Sequence, residues 1–482
     1  MVYPPGQDID VRNDGVGLIA SGKALPVVVG VTSKGTADTL YQYTDPNTLK
    51  AALGHGPAVG LALAVMPQAG GVLVLKTGGS TAGAAGSVTP VRVGTSSGTV
   101  TVAGAPHNAY EVIVEITADG TLGAGKFKYS LDDDRTYSPE LTIPAGGTYA
   151  IPDTNLTLTF VPGAGPDFYD NGDTHSFDCT VPHYTTTDLG TAWTALLDQI
   201  GSRKIRQCFF SGQNATAADG ATMAAAIATH MGTLETNFYY ARAVMDAGDD
   251  TVANVLSSFS AFADDRVCVC YGTADVITHD SHTGYGTPNV PIAHVVAERA
   301  ARADLSENLG RKQSGPLRGV LSVTHDEGKD TAFSEADKLT TLRTYRGESG
   351  FYITNGYLRS PVGSDFLYYD WGRTIDEVCE IVHTRQQKWL LSKFRSKTDG
   401  SGNLDGRDAA RVETFVKQAL RAKLLDPINI EGFKGHVSGL SYTVDQTNDY
   451  LATRTLRSQA GAVPLSPAET IETQIGFVRS VE

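Results

Sequence analysis

The sequence predicts a multidomain protein of α/β plus α+β architecture, with an inserted all-β, sandwich-like module and a strand-like arm at each end. Three observations predict it. Short, continuously apolar runs alternate with helical segments over 21–87 and again over 183–340, as in a parallel or mixed sheet covered by helices. Between them, over 88–182, brief β-type runs separated by turn residues read as a small sandwich. From 341 to 460, two amphipathic helices are followed by strands, an α+β pattern.

The arms are the organising feature. In the last stretch, 461–482, Ile471, Thr473, Ile475 and Phe477 share one face of a period-2 run, and Glu472, Gln474 and Gly476 share the other. In the first twenty residues, Ile9 and Val11 alternate with Asp8, Asp10 and Arg12. Proline and glycine set each run off: Pro4, Pro5 and Gly6 at one end, Gly461, Pro464 and Pro467 at the other. The spacer Ala460–Pro467 reads as stiff and unstructured. A lone strand needs partners for its N–H and C=O groups. Those partners are either the chain's own body or the sheet of a neighbouring subunit, and the second case makes a polymer.

A length of 482 residues suits about three domains. A net charge of −14 argues against a nucleic-acid binder, because a phosphate backbone attracts basic surfaces. The five cysteines are scattered, odd in number and too few for a disulfide framework, and Cys268 and Cys270 read as buried filler. The N-terminus has no secretory pattern, and the apolar stretch Ala58–Leu75 is interrupted by Pro67, Gly70 and Gly71. Synthesis in a cytoplasm without membrane insertion is expected.

In order, Ala24–Val31 reads as a buried parallel strand. Asp45 caps a helix opened by Pro46, and a second helix runs from Pro57 to Met66. Gly70–Gly71 then leads into the strand Val72–Lys76. Gly78–Gly86 lacks the lysine and hydroxyl of a phosphate loop and reads as a flexible linker. In the β module the runs are Val100–Val102, Tyr110–Ile116, Lys126–Leu131 and Leu156–Phe160, and Asp132–Asp134 and Asp170–Asp173 read as exposed turns rather than calcium loops. Helices follow at Leu189–Ile200, Thr216–Thr229, Asn254–Ala263 and Ile292–Arg302, with strands at Gln207–Phe210 and Val267–Tyr271 and an apolar-aromatic run at Tyr239–Met245. Asn355–Gly356 is a hairpin signal. Asp376–Phe394 is a helix with a basic end, Arg385, Lys388, Lys393, Arg395 and Lys397, which complements the helix dipole. Val412 to Leu424 lines a second helix, and strands are expected around Ser438–Val444 and Tyr450–Leu456.

The set LPVVVGVTSKG (25–35), TDPNTLKAALGHG (44–56) and LALAVMPQAGGVLVLKT (61–77) resembles the opening of contractile-tail sheath proteins. Gly30, Thr32, Gly35, Gly54, Gly70 and Gly71 occupy the places of that pattern, and the helix–helix–strand order of the last domain resembles the family's C-terminal domain. Phe127–Tyr137 resembles a hairpin common in phage structural modules. The resemblance implies a homo-oligomer of hexameric rings stacked helically around an inner tail tube protein, with baseplate and tail terminator proteins as further partners. It implies a location in a virion tail after assembly in the host cytoplasm, and contraction that drives the tube through the host envelope. It also implies that the C-terminal domain faces the tube, which makes the basic cluster from Arg385 to Lys397 the candidate tube-facing group. The aromatic-proline signature that often follows the first helix there is replaced by Trp389–Lys393.

Motifs of catalysis are missing: no Gly-x-Ser-x-Gly elbow, no His-Glu-x-x-His and no Gly-x-Gly-x-x-Gly after a strand. His279 and His282 sit in a loop without a third ligand. A non-enzymatic subunit without cofactor or metal is expected. The rival readings are a soluble host-surface glycan-binding protein of a virion and another self-assembling tube or baseplate component.

Overall fold

The computed structural model describes residues 24–468, apart from 164–167, 212–215, 278–288, 331, 334 and 433. Ile9, Val11, Pro4, Pro5 and Gly6 lie outside the described residues. So do Ile471, Thr473, Ile475, Phe477, His279 and His282. The described chain forms two compact units, one running to Ala303 and including Leu309–Tyr369, the other made of Asp304–Asn308 and the chain from Asp370 onward.

In the first unit, six strands form one sheet in the order Val267–Cys270, Arg242–Asp246, Ile205–Phe210, Leu25–Gly30, Val72–Lys76, Thr39–Tyr43. All adjacent pairs are parallel except the last, which is antiparallel. Successive side chains of a strand enter opposite layers. Val27, Val29, Cys208 and Phe210 join the layer made by helices Thr186–Ile200, Ala217–Thr236 and Val252–Ser258. Val28, Phe209, Cys268 and Cys270 join the layer of Pro46–Leu53, Pro57–Ala69 and Ile292–Arg302. Burial on both faces explains why these strands read as unbroken apolar runs.

Local chemistry sets the helix starts. Asp45 accepts from Thr48 N and precedes Pro46, while Thr185 and Asp188 form a reciprocal capping box. The outer strand Thr39–Tyr43 is closed by a side chain: Gln199 accepts from Leu40 N at 2.8 Å and donates to Asp38 O at 3.0 Å.

Strands between Thr89 and Asp178 make a five-stranded and a three-stranded sheet, antiparallel throughout. They share a cluster that includes Val112, Val114, Phe127, Leu158 and Phe160.

Several expectations need correction. Gly78–Gly86 is not a free linker, since Thr81 and Ala85 bridge His183 and Cys179. Asp132 and Asp173 are buried rather than exposed. Asp132 accepts from Thr136 N at 2.9 Å within its own loop, and Asp173 accepts from Asp170 N at 3.2 Å within its loop and from the distant Val93 N at 3.0 Å. Asn355–Gly356 does not close a hairpin onto itself, because Tyr352–Ile353 pairs with Leu342–Arg343. Leu342, Ile353, Leu358 and Tyr369 lie in the first unit's core, so the compact boundary falls at Asp370, later than the change in texture at 341.

Candidate assembly surface in the C-terminal unit

The second unit is built on two helices and a ribbon. The first helix, Tyr369–Gln387, starts and ends seven residues before the predicted Asp376–Phe394. The apolar period carries on through Trp389, but there the chain turns. Trp389 packs with Phe394 and Phe415, both at 5.8 Å, under the guanidinium of Arg411. Arg373 anchors the helix by donating to Asp304 O and Glu307 O, at 2.8 and 2.9 Å. Burial pushes the neighbouring Asp370 carboxyl up to about 6.

The second helix, Gly406–Leu420, is capped by Asp405 and packs Ala409, Val412, Val416 and Leu420 against Val437, Tyr442 and Val444. Those last residues belong to the strand Val437–Val444, which pairs antiparallel with Ser458–Pro464. Here two expectations fail. Tyr450–Thr453 is a helical turn capped by Asp449, not a strand. Gly461 and Pro464 are strand residues, not hinge residues of an unstructured spacer, and only Leu465–Ala468, with Pro467, continues without regular structure. Pro464 is tolerated because it ends an edge strand, where its missing N–H costs little.

The ribbon is the candidate site. Its inner strand is tied down by Gln386, which donates to Tyr442 Oη at 2.8 Å, and by Glu413, which accepts from Val444 N at 2.9 Å, while Gln386 also donates to Ser458 Oγ of the outer strand at 2.6 Å. Trp371 Nε1 donates to Leu465 O at 2.8 Å, fixing where the chain leaves the ribbon. The outer strand is largely exposed, and among the described residues no third strand joins either edge. A two-stranded ribbon with open edges is a template for further strands.

The predicted basic cluster does not form one free patch. Arg385 and Lys388 lie over the Phe415 ring at 5.2 and 5.7 Å. Arg395 is clamped to Asp408, which accepts from its N, Nε and Nη2 at 2.7, 3.2 and 2.9 Å. These bonds hold the Asp408 carboxyl down at about 2. Lys397 reaches Gln446 O at 3.4 Å, and Lys393 is exposed. What sequence reasoning missed is the pair Leu390 and Leu391, left in solvent at 74% and 103% exposure. The signal was there: two leucines just beyond a tryptophan that closes a helix.

Elsewhere, Ser211 Oγ and His294 Nε2 lie 2.7 Å apart at the end of a strand of the large sheet, and burial pushes His294 down to about 4. Among the described residues no group of three or more His, Cys, Asp or Glu could hold a metal, and no helix is long and apolar enough to cross a membrane.

Set beside solved structures, this fold has counterparts over nearly its whole length. A chain of the anti-feeding prophage baseplate in its contracted state matches with a TM-score of 0.51 and 10% identity, over 99% of this chain and 98% of that one. The six-fold symmetrised baseplate gives 0.50 and 11%, over 99% of both. The sheath tail protein of Listeria innocua matches at 0.45 and 9%, over 92% and 96%. At identities of 10 to 11% the likeness to the two baseplate chains is one of fold. No curated protein matches the sequence. Residues 6–357 match the family described as DUF2586, N-terminal domain, and the chain belongs to that family.

Proposed function

We propose that this protein is a structural subunit of a contractile tail sheath. Copies stack as hexameric rings around an inner tail tube, between baseplate and terminator proteins, and contract to drive the tube through a host envelope. The observation that carries the reading is the open-edged ribbon of Val437–Val444 and Ser458–Pro464, which runs into the C-terminal arm. A ribbon that no third strand joins among the described residues, and an arm whose sequence alternates as a strand does, are complementary needs. Repeated from copy to copy, such an exchange is a heterologous, non-closing contact, which builds a filament. Contraction then re-pairs interfaces while the arms stay threaded, with Leu465–Ala468 and Pro4–Gly6 as the points of bending.

The sheets between Thr89 and Asp178 are an inserted module on the outer surface. The strands that lead in and out run side by side through the Thr81–His183 and Ala85–Cys179 bridges, which supports an insertion. The full-length likeness to a baseplate chain also supports the assembly reading.

The test is electron microscopy of the purified chain beside variants lacking residues 1–12 or 470–482. Hollow cylinders from the intact chain and folded, tube-incompetent monomers from both deletions are expected. Undiminished tubes from both would overturn the arm exchange. Removal of 88–182 should leave assembly intact, and a folded variant that cannot assemble would refute the outer placement.

A further inference from the structure

In the module of antiparallel sheets, His175 is 1% exposed, and among the described residues neither of its ring nitrogens has a hydrogen-bond partner. A buried polar group left so weakens the fold, and a buried imidazolium would weaken it far more. Its strand, Thr174–Asp178, lies between Glu111–Ala118 and the edge strand Thr89–Val91. Val114 stands opposite it on one side and Pro90 on the other, and proline has no N–H to donate. Two charged groups act on the ring. Arg92, just past the edge strand, opposes a second positive charge and is itself held by Ser96 O and Gly98 O, at 2.8 and 2.6 Å. Asp173 favours a positive charge, but it already accepts from Val93 N, Asp170 N and Ser96 Oγ. The Tyr169 ring lies 6.4 Å away, and Glu111–Ala118 turns the apolar Val112, Val114 and Ile116 to the core. Burial is the main cause that brings the His175 pKa down, from 6.5 to about 4, with Arg92 adding to it. The edge strand is the weak side of this enclosure: Thr89, Pro90 and Val91 are all exposed, and they pair with only three residues.

We propose that His175 is an acid trigger: when its ring takes a proton from solvent, the edge strand Thr89–Val91 and the turn through Ser96 let go, which admits water to the imidazolium and bares the edge of Thr174–Asp178. The device works within one copy of the chain, so it stands apart from the sheath reading. Its sign follows from linkage. The closed module resists the proton, whereas the opened one takes it at the ordinary 6.5. Closure is therefore fully favoured above that value and is lost progressively as pH falls towards 4. Between pH 7.5 and pH 5 the opening equilibrium should rise about thirtyfold. His107, whose pKa burial also lowers, is common to every protein compared below, so its share cancels.

Hydrogen–deuterium exchange of the full chain at pH 7.5 and pH 5, corrected for the intrinsic exchange rate, tests this with wild type beside His175→Phe and His175→Gln. In wild type, peptides over 89–96 and 174–178 should lose about thirtyfold in protection at pH 5, while Lys126–Ser130 on the far side of the same sheet keeps its own. Neither variant can titrate at this position, so each should be protected equally at the two pH values. A wild type with unchanged protection, a folded variant that loses protection as wild type does, or an equal loss across Lys126–Ser130 would each overturn the trigger. The wild-type comparison decides by itself should a variant fail to fold.

Discussion

Asp246 offers a sharp test of how the large sheet is built. It ends a central strand, is 7% exposed, and accepts from Gly248 N at 3.0 Å. Gly248 holds φ of +97°, and a Cβ there would lie 2.2 Å from Thr216 O, so the turn that follows the carboxyl has little room to shift. Burial is the main cause that pushes this carboxyl from 3.8 up to about 7, with Asp249 adding to it. The folded state therefore keeps a proton that the unfolded state has already lost between about pH 4 and 7. Stability must fall as pH rises through that window, and the full cost is present above it. Three pH units correspond to a ceiling of about 4 kcal/mol. Asp246→Asn keeps the acceptor and removes the charge, so about 2 kcal/mol of stabilisation at pH 8 is expected once imperfect pairing of the new amide is allowed for. Urea denaturation of both proteins at pH 4 and pH 8 measures it. The two curves should nearly coincide at pH 4 and separate at pH 8. Equal pH slopes, or a variant less stable than wild type at pH 8, would refute the argument.

Two further substitutions probe other joints. Gly220→Ala places a Cβ 2.1 Å from Ala247 O, so the Ala217–Thr236 helix has to move off the sheet. A loss of roughly 1–3 kcal/mol in urea titration is expected, and a near-wild-type midpoint would show that the helix yields cheaply. Asp408→Asn removes the clamp on Arg395. Because the Asp408 pKa is lowered from 3.8 to about 2, its contribution is present above pH 4 and is lost as pH falls through 2. The variant should lose about 1 kcal/mol at neutral pH, less than a buried pair would, since Arg395 is 63% exposed, and should lack that acid limb.

The legible parts of the fold were those where one local signal decides. The run at Leu25–Gly30, Asp45 before Pro46, and the helix Ile292–Arg302 all carry their own punctuation. The misreadings share a cause in tertiary contact. Trp389 continues the helical period, yet it leaves the helix because Phe415 and Arg411 offer it a better bed. Ala460–Pro464 looks like a spacer because its residues are small. Its strand is imposed by the register of Val437–Val444, with Leu440 opposite Ala462 and Tyr442 opposite Ala460. For the site, composition showed the cations, but not that Asp408 and the Phe415 ring had already engaged three of them.

The side chain of Gln199 has a consequence beyond its two hydrogen bonds. By occupying Leu40 N and Asp38 O it covers part of the rim of the large sheet, whereas among the described residues no third strand covers the ribbon of the second unit. One molecule thus carries a partly shuttered edge and an open one. At the crowding that any abundant chain meets during synthesis, an incoming strand pairs less readily with the first than with the second. Gln199, far in sequence from the strand it shields, thus leaves an incoming strand fewer backbone groups to pair with at that edge.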